Sequence, residues 1–168
     1  ITTVTPVYQN IYLPLGTRYN GILITDNDGP RPTDRVYFGY NYYDNYGVGL
    51  NGSGNSLDMH RQTMGFEKTL LNGNASIGMR LPFIQTTNAP FGLNQRGVGD
   101  MSILFKYAFI NNLDTGNVLS AGMVLTTPTG KNDFRLVDGS NAPNSVIYQP
   151  WLGGVYNIGA GYLQGISS

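Results

Sequence analysis

Met64-Gly65-Phe66-Glu67-Lys68-Thr69-Leu70-Leu71-Asn72-Gly73-Asn74-Ala75-Ser76-Ile77-Gly78-Met79-Arg80-Leu81 is the stretch that decides how this chain folds. Asn72-Gly73 at its centre readily takes the positive φ angles of a two-residue type I′ hairpin turn. With the turn there, Leu71 faces Asn74 and the register of two antiparallel strands follows. Leu70 stands opposite Ala75, Phe66 opposite Met79 and Met64 opposite Leu81 on one face; Thr69 stands opposite Ser76 and Glu67 opposite Gly78 on the other. Apolar meets apolar and polar meets polar. Gly78 leaves room opposite Glu67, and Arg80 lies diagonally within reach of that carboxylate.

Carried outward, the same alternation predicts strands near 35–43, 59–71, 74–84, 100–109, 117–127 and 145–157, and another beginning near 161. Six of the seven charged residues in these strands, Arg35, Arg61, Glu67, Arg80, Asp100 and Lys106, share one phase. The other phase reads Val36, Phe38, Tyr40, Tyr42, then Met64, Phe66, Leu70, Ala75, Ile77, Met79, Leu81, Phe83, then Met101, Ile103, Phe105, Tyr107 and Phe109. Because side chains alternate sides along a strand, the sheet has one polar and one apolar surface. The fold class expected is all-β, an antiparallel up-and-down meander forming part of a transmembrane β-barrel, with lipid outside and water inside. Candidate lumen-lining residues are Arg35, Tyr37, Asn41, Arg61, Thr63, Glu67, Ser76, Arg80, Asp100, Ser102, Lys106, Ser120 and Thr126. Candidate lipid-facing residues are Phe38, Tyr40, Met64, Phe66, Ile77, Met79, Leu81, Phe83, Ile103, Phe105, Tyr107, Leu119, Met123 and Leu125.

Composition points the same way. Charged residues make up 12% of the 168 residues, about half the roughly 25% of an ordinary soluble domain. Gly, Ser, Thr and Asn supply the polarity instead, with 23 Gly, and the 12 Tyr favour strands. Ten basic and ten acidic groups cancel, and the basic ones are scattered, so nothing marks a nucleic-acid partner. No stretch approaches the roughly 18 apolar residues a membrane-spanning helix needs, so any crossing is by strands, which must close on themselves to satisfy the backbone in lipid. The absence of cysteine excludes disulfides, thiolate metal sites and cysteine catalysis.

The strands are joined by connections of about fifteen residues, then two, fifteen, seven, seventeen and a short one. This asymmetry matches outer-membrane barrels, whose turns are tight on one side and whose loops are long on the other; loops 44–58, 85–99 and 128–144 would form the outer mouth. Residues 1–34, with Pro6, Pro14 and Gly29-Pro30-Arg31-Pro32, read as an irregular N-terminal lead-in in which 2–13 offers one strand, and residues 35–168 hold the barrel strands. Ile1 is followed by Thr-Thr-Val-Thr, with no basic and apolar signal pattern, and the alternation from Gly161 stops after a few residues, so the chain reads as a fragment of a longer protein. Lys68, on the apolar phase beside the turn, can snorkel. Tyr40, Tyr42, Tyr107, Tyr148 and Trp151 are candidate interfacial aromatics.

Motifs of chemistry are thin. Gly47-Val48-Gly49-Leu50-Asn51-Gly52 matches the dinucleotide fingerprint in letters but lacks the strand-to-helix context, and reads as a loop. His60, the single histidine, lies on the apolar phase near a rim, with Asp58 just outside its strand; Ser56 and Thr63 nearby carry no nucleophile-elbow sequence. Asp26-Asn27-Asp28-Gly29 has part of a calcium loop's spacing without the closing Glu, and turn chemistry explains it. No catalytic residue, metal site or cofactor is expected. Glu67 with Arg80, and Asp100 with Lys106, read either as charges that line a wet interior and set its field or as structural pairs that staple neighbouring strands, and in a barrel both can hold; four of the six lumen-phase charges are basic.

Gly97-Val98-Gly99-Asp100-Met101-Ser102-Ile103-Leu104-Phe105-Lys106-Tyr107 and Leu119-Ser120-Ala121-Gly122-Met123-Val124-Leu125-Thr126-Thr127-Pro128-Thr129-Gly130 resemble outer-membrane barrels associated with the phenol-degradation meta-pathway, in which a Gly-x-Gly-Asp strand start precedes a strand ending in Pro-Thr-Gly. Arg35 to Tyr43, and Phe66 through Phe83, are similar to bacterial envelope proteins of that kind. The resemblance implies about a dozen antiparallel strands, an outer-membrane location in a Gram-negative-type envelope and passage of small, often hydrophobic molecules. It implies the lipid bilayer and the outer-membrane assembly machinery as partners, and names no solute. Three function classes stand: a passive channel or uptake pore, a non-transporting envelope anchor or adhesion barrel, and a soluble β-sandwich or lipocalin-like binding module with the apolar phase turned inward.

Overall fold

A computed structural model describes residues 28–46, 57–88, 94, 96–130 and 146–168. These residues form one antiparallel sheet of eight strands: β1 Arg35–Tyr46, β2 Leu57–Leu70, β3 Ala75–Thr87, β4 Arg96–Val98, β5 Met101–Asn111, β6 Val118–Thr127, β7 Ile147–Asn157 and β8 Tyr162–Ser167. The order is β1-β2-β3-β5-β6-β7-β8, with β4 added to β3 beside Phe83–Gln85. Every neighbour along this path is also the next long strand in sequence, so the sheet is a meander, curled into a half-barrel.

The Asn72-Gly73 hairpin forms in the register the pattern dictates: Leu70↔Ala75, Thr69↔Ser76, Glu67↔Gly78, Phe66↔Met79 and Met64↔Leu81. Asn72 (φ 54°, ψ 37°) and Gly73 (φ 86°) have the dihedral signs of a type I′ turn, closed by the Asn74 amide on the Leu71 carbonyl at 3.1 Å. Leu71 also takes φ 51°, which is why pairing ends one residue earlier, at Leu70.

Residues 71–74, 112–117 and 158–161 turn at one end of the sheet, hereafter the turn end. The strand ends joined by the longer connections, 47–56, 88–100 and 128–146, all lie at the other. These connections are shorter than expected in two cases because β1 and β2 run further than the alternation indicated, and because Gln85–Thr87 extends β3 while Arg96–Val98 pairs beside it. Asp58 therefore lies inside β2, not in a loop. The fingerprint-like Gly47–Gly52 and the strand offered at 2–13 fall outside the described residues.

The two phases take opposite sides of the curl. In β3, Ser76, Arg80, Pro82, Ile84 and Thr86 are buried on the concave side while Ile77, Phe83 and Gln85 are exposed on the convex side. β5 repeats this with Ser102, Leu104, Lys106 and Ala108 inside and Phe105 and Tyr107 outside. A bulge at Phe109, between the pairs Ala108↔Ser120 and Ile110↔Leu119, leaves both Phe109 and Ile110 outside and turns Asn111 in.

Trp151 corrects one expectation. It is buried on the concave side, not in an interfacial belt, packed with Leu104, Val124 and Ile166. Strict alternation through Pro150 puts Tyr148, Pro150 and Leu152 outside and Trp151 inside. Its cross-strand partner is Gly122, where an added Cβ would stand 2.7 Å from the indole and 1.9 Å from the Phe105 carbonyl oxygen; only a glycine lets the ring lie there.

Candidate functional site on the concave face

The concave face is where polar side chains converge, and its turn end is filled by chain as well as by side chains. Residues 28–34, which precede β1 and make no strand, enter the curl. The Asp34 carboxylate clips the outer rim, accepting from Lys68 Nζ, from the Thr69 amide at 2.6 Å and from Thr69 Oγ1 at 2.5 Å. These bonds, the lysine's foremost, hold the Asp34 carboxyl well below the usual carboxylate range. From there the chain turns inward through buried Pro32, Pro30 and Asp28. Two prolines fix φ at their positions and remove two backbone donors, and the strap bends at Pro30 and Arg31 without adding to the sheet.

Further contacts pin this strap. Pro30 packs under β7, its Cβ 3.3 Å from the place a Cβ on Gly153 would take. Arg31 reaches across to β5 and its turn, donating from Nη1 to Asn111 Oδ1 at 2.6 Å and from Nη2 to the Gly116 carbonyl at 2.9 Å. Lys106 Nζ donates to the Gly29 carbonyl at 3.0 Å. Asp28 bridges two strand arginines, Oδ1 to Arg35 Nη2 at 2.8 Å and Oδ2 to Arg80 Nη1 at 3.0 Å.

Glu67 is the second anionic centre. It accepts from Arg35 Nε at 2.9 Å, Lys106 Nζ at 2.9 Å, Ser76 Oγ at 2.6 Å and the Thr33 amide at 3.3 Å. Three cations from β1, β3 and β5 thus surround one carboxylate from β2 and one from the strap. Such a network is tolerable away from bulk water only because each carboxylate is shared between cations and hydrogen-bonded. Arg35 also lies 4.7 Å from the centre of the Tyr37 ring.

This arrangement replaces the Asp100–Lys106 pairing read from the sequence. Lys106 serves Glu67 and the strap, while Asp100, six residues and roughly 20 Å away along a strand, accepts from the Gly130 amide at 3.0 Å at the opposite end. Arg80 donates to Asp28, and Arg35 and Lys106 donate to Glu67. Asp28 was the residue missed, submerged in a partial calcium loop. The signal for it was the excess of basic over acidic residues on the polar phase, a charge imbalance that a buried face has to correct from elsewhere.

Further along the concave face stand Arg61 and Thr63, both buried, with Tyr37 and Asn41 half-buried. Ser102 Oγ and Thr126 Oγ1 are hydrogen-bonded at 3.0 Å, and Ser120 is fully buried. All thirteen polar-phase candidates therefore occupy the concave face or, for Asp100, its rim. The apolar-phase candidates occupy the convex face, with Phe38, Tyr40, Met64, Phe66, Ile77, Phe83, Phe105, Tyr107 and Leu119 exposed and Met79, Leu81, Ile103, Met123 and Leu125 partly so.

His60 lies on the convex side near the long-connection end. Its Nδ1 is 2.8 Å from Tyr40 Oη and its Nε2 3.4 Å from Thr87 Oγ1, with the Tyr42 ring centred 5.0 Å away. This is an aromatic rim cluster with both ring nitrogens facing hydroxyls. Among the described residues no three His, Asp or Glu side chains converge on a metal position. No family model, no curated protein and no solved structure matches this chain.

Proposed function

We propose that this chain forms part of a β-barrel spanning an outer membrane, with the concave polar face as a water-filled lumen through which small solutes pass passively. The observation that carries the reading is inverted burial. Arg80 and Lys106 are 3% exposed and Glu67 5%, whereas Val36 is 87%, Phe38 63%, Phe109 62% and Tyr148 65% exposed. A wall that turns large apolar side chains outward over seven strands is stable against acyl chains and costly in water. A soluble sandwich or lipocalin-like module needs the opposite phase inside.

Other features support the same reading. The long strands run 10 to 14 residues, the length at which a tilted strand crosses a bilayer. Tight turns and long connections segregate to opposite ends. Tyr40, Tyr42 and His60 toward one rim, and Tyr107 and Tyr156 toward the other, suit the two interfaces. Among the described residues β1 and β8 each pair on one side only, and a spanning sheet has to close, so these are the edges on which further strands pair. Lipid and the outer-membrane assembly machinery are the partners this reading requires; it calls for no cofactor, bond chemistry or nucleic acid.

The strap favours a second reading, a barrel whose interior is filled and which serves as an envelope anchor. Planar-bilayer recording of the full-length protein separates the two. The pore reading expects discrete conductance steps; a correctly inserted barrel that is silent at all voltages would leave the anchor.

A further inference from the structure

We infer that Arg96 and Gln85, on the convex face at the long-connection rim, bind the phosphate of an anionic lipid whose acyl chains lie along Phe83 and Leu81. The inference rests on the convex face meeting lipid, as proposed above. It starts from the place where that face changes character. Strand register sets the convex side chains in rows across the sheet, each row roughly 7 Å beyond the last. Phe38, Met64 and Leu81 make one apolar row. In the next, Tyr40 and Phe83 flank Gln62; in the one beyond, Tyr42, His60, Gln85 and Arg96 stand side by side on β1, β2, β3 and β4. The change from apolar to polar falls at the same level on three long strands, as it must where a lipid-facing wall passes into the headgroup layer.

The groups of the polar row are not equivalent. His60 is engaged, its ring nitrogens facing Tyr40 Oη and Thr87 Oγ1. Arg31, Arg35, Lys68, Arg80 and Lys106 are each bonded within the protein. The exposed Arg96 side chain, by contrast, donates to no group among the described residues. Its cross-strand partner Gln85, exposed on the same side, sets an amide donor beside it. A guanidinium offers a planar fork to two phosphate oxygens, and the apolar Phe83 and Val98 lie one row below, where the chains of the same lipid would run. Asp58 stands one row further out, held by the Asn45 amide and by Asn88 Nδ2. Its carboxylate repels a phosphate that rises above the row, which keeps the headgroup at the level of Arg96.

Because the chain has no cysteine, single labels can be placed at will. A bimane-labelled cysteine at Val98 reports on the site, and one at Leu152, exposed on the convex face of β7, is the comparison. The full-length protein is reconstituted in phosphatidylcholine vesicles that carry a minor fraction of either brominated phosphatidylglycerol or brominated phosphatidylcholine, and quenching gives the relative association of the two lipids. The expected preference for phosphatidylglycerol at Val98 is about five-fold, the gain that one basic residue supplies at a membrane surface, against little or none at Leu152. Arg96→Gln should reduce the Val98 value to that at Leu152. Gln85→Leu, which leaves the charge unchanged, should lower it as well. An unaltered preference in either variant would overturn the inference. Quenching of both labels with no preference at Val98 would remove this site and leave the lipid-facing wall; quenching of neither label would remove the wall and the site with it.

Discussion

Glu67→Ala is expected to destabilise the folded protein by about 3–5 kcal/mol, the range for stripping one partner from a buried ion network. Glu67 is 5% exposed and accepts from Arg35, Lys106, Ser76 and the Thr33 amide. Its loss leaves Lys106, itself 3% exposed, without its carboxylate and loosens the strap at Thr33. The cost arises from the cations left behind more than from the bonds removed. Glu67→Ala combined with Lys106→Met should therefore recover much of the loss, since deleting both members of a buried pair is far cheaper than deleting one. Lys68→Ala is the exposed comparator and should move the midpoint much less. Equilibrium urea unfolding in lipid or detergent, followed by Trp151 fluorescence, measures all three. A Glu67→Ala midpoint equal to that of Lys68→Ala would show the network to be hydrated and weak.

Phe105→Arg probes the other surface and should cost about 2–4 kcal/mol, the value for a guanidinium placed at mid-depth on a lipid-facing barrel wall. Phe105 sits on the convex side between its cross-strand partners Ile77 and Met123 and is 40% exposed. On a water-facing surface the same change would remain within about 0.5 kcal/mol. The measurement is reversible unfolding from phospholipid vesicles. A tolerated arginine at position 105 would count against lipid on this face.

What was legible in the sequence was what depends on local alternation. The Met64–Leu81 hairpin could be read to the residue because Asn72-Gly73 fixes the turn and a one-residue slip would throw Glu67 and Arg80 onto the apolar face. The assignment of polar and apolar residues to two surfaces follows from the same period. Three features were hidden, each for a different physical reason. Trp151 looked interfacial because the space that admits it is made by Gly122, a cross-strand neighbour 29 positions earlier, and nothing in the local pattern signals that cavity. The Lys106 partner was misread because a strand lists its charges in order along the chain, while ion pairs form across strands; Asp100 is a neighbour in sequence and Glu67 a neighbour in the sheet. Asp28 was obscured because a proline-flanked segment has no periodicity, and its place is set by the cations waiting in the sheet. The candidate site was thus half visible: the strand residues were on the page, and the strap that organises them was not.

The most direct test of the central claim, that the convex face meets lipid and the concave face meets water, uses the absence of cysteine from the chain. Single cysteines at Val36, Phe38, Gly39 and Asn41 alternate between the two faces of β1, and Gly39 has open space around an added Cβ. With the full-length protein in native membranes, a small water-soluble maleimide should label positions 39 and 41, and should label 36 and 38 only after detergent strips the lipid. Labelling of positions 36 and 38 in intact membranes as fast as in detergent, or recovery of the protein in the aqueous phase without detergent, would contradict the account.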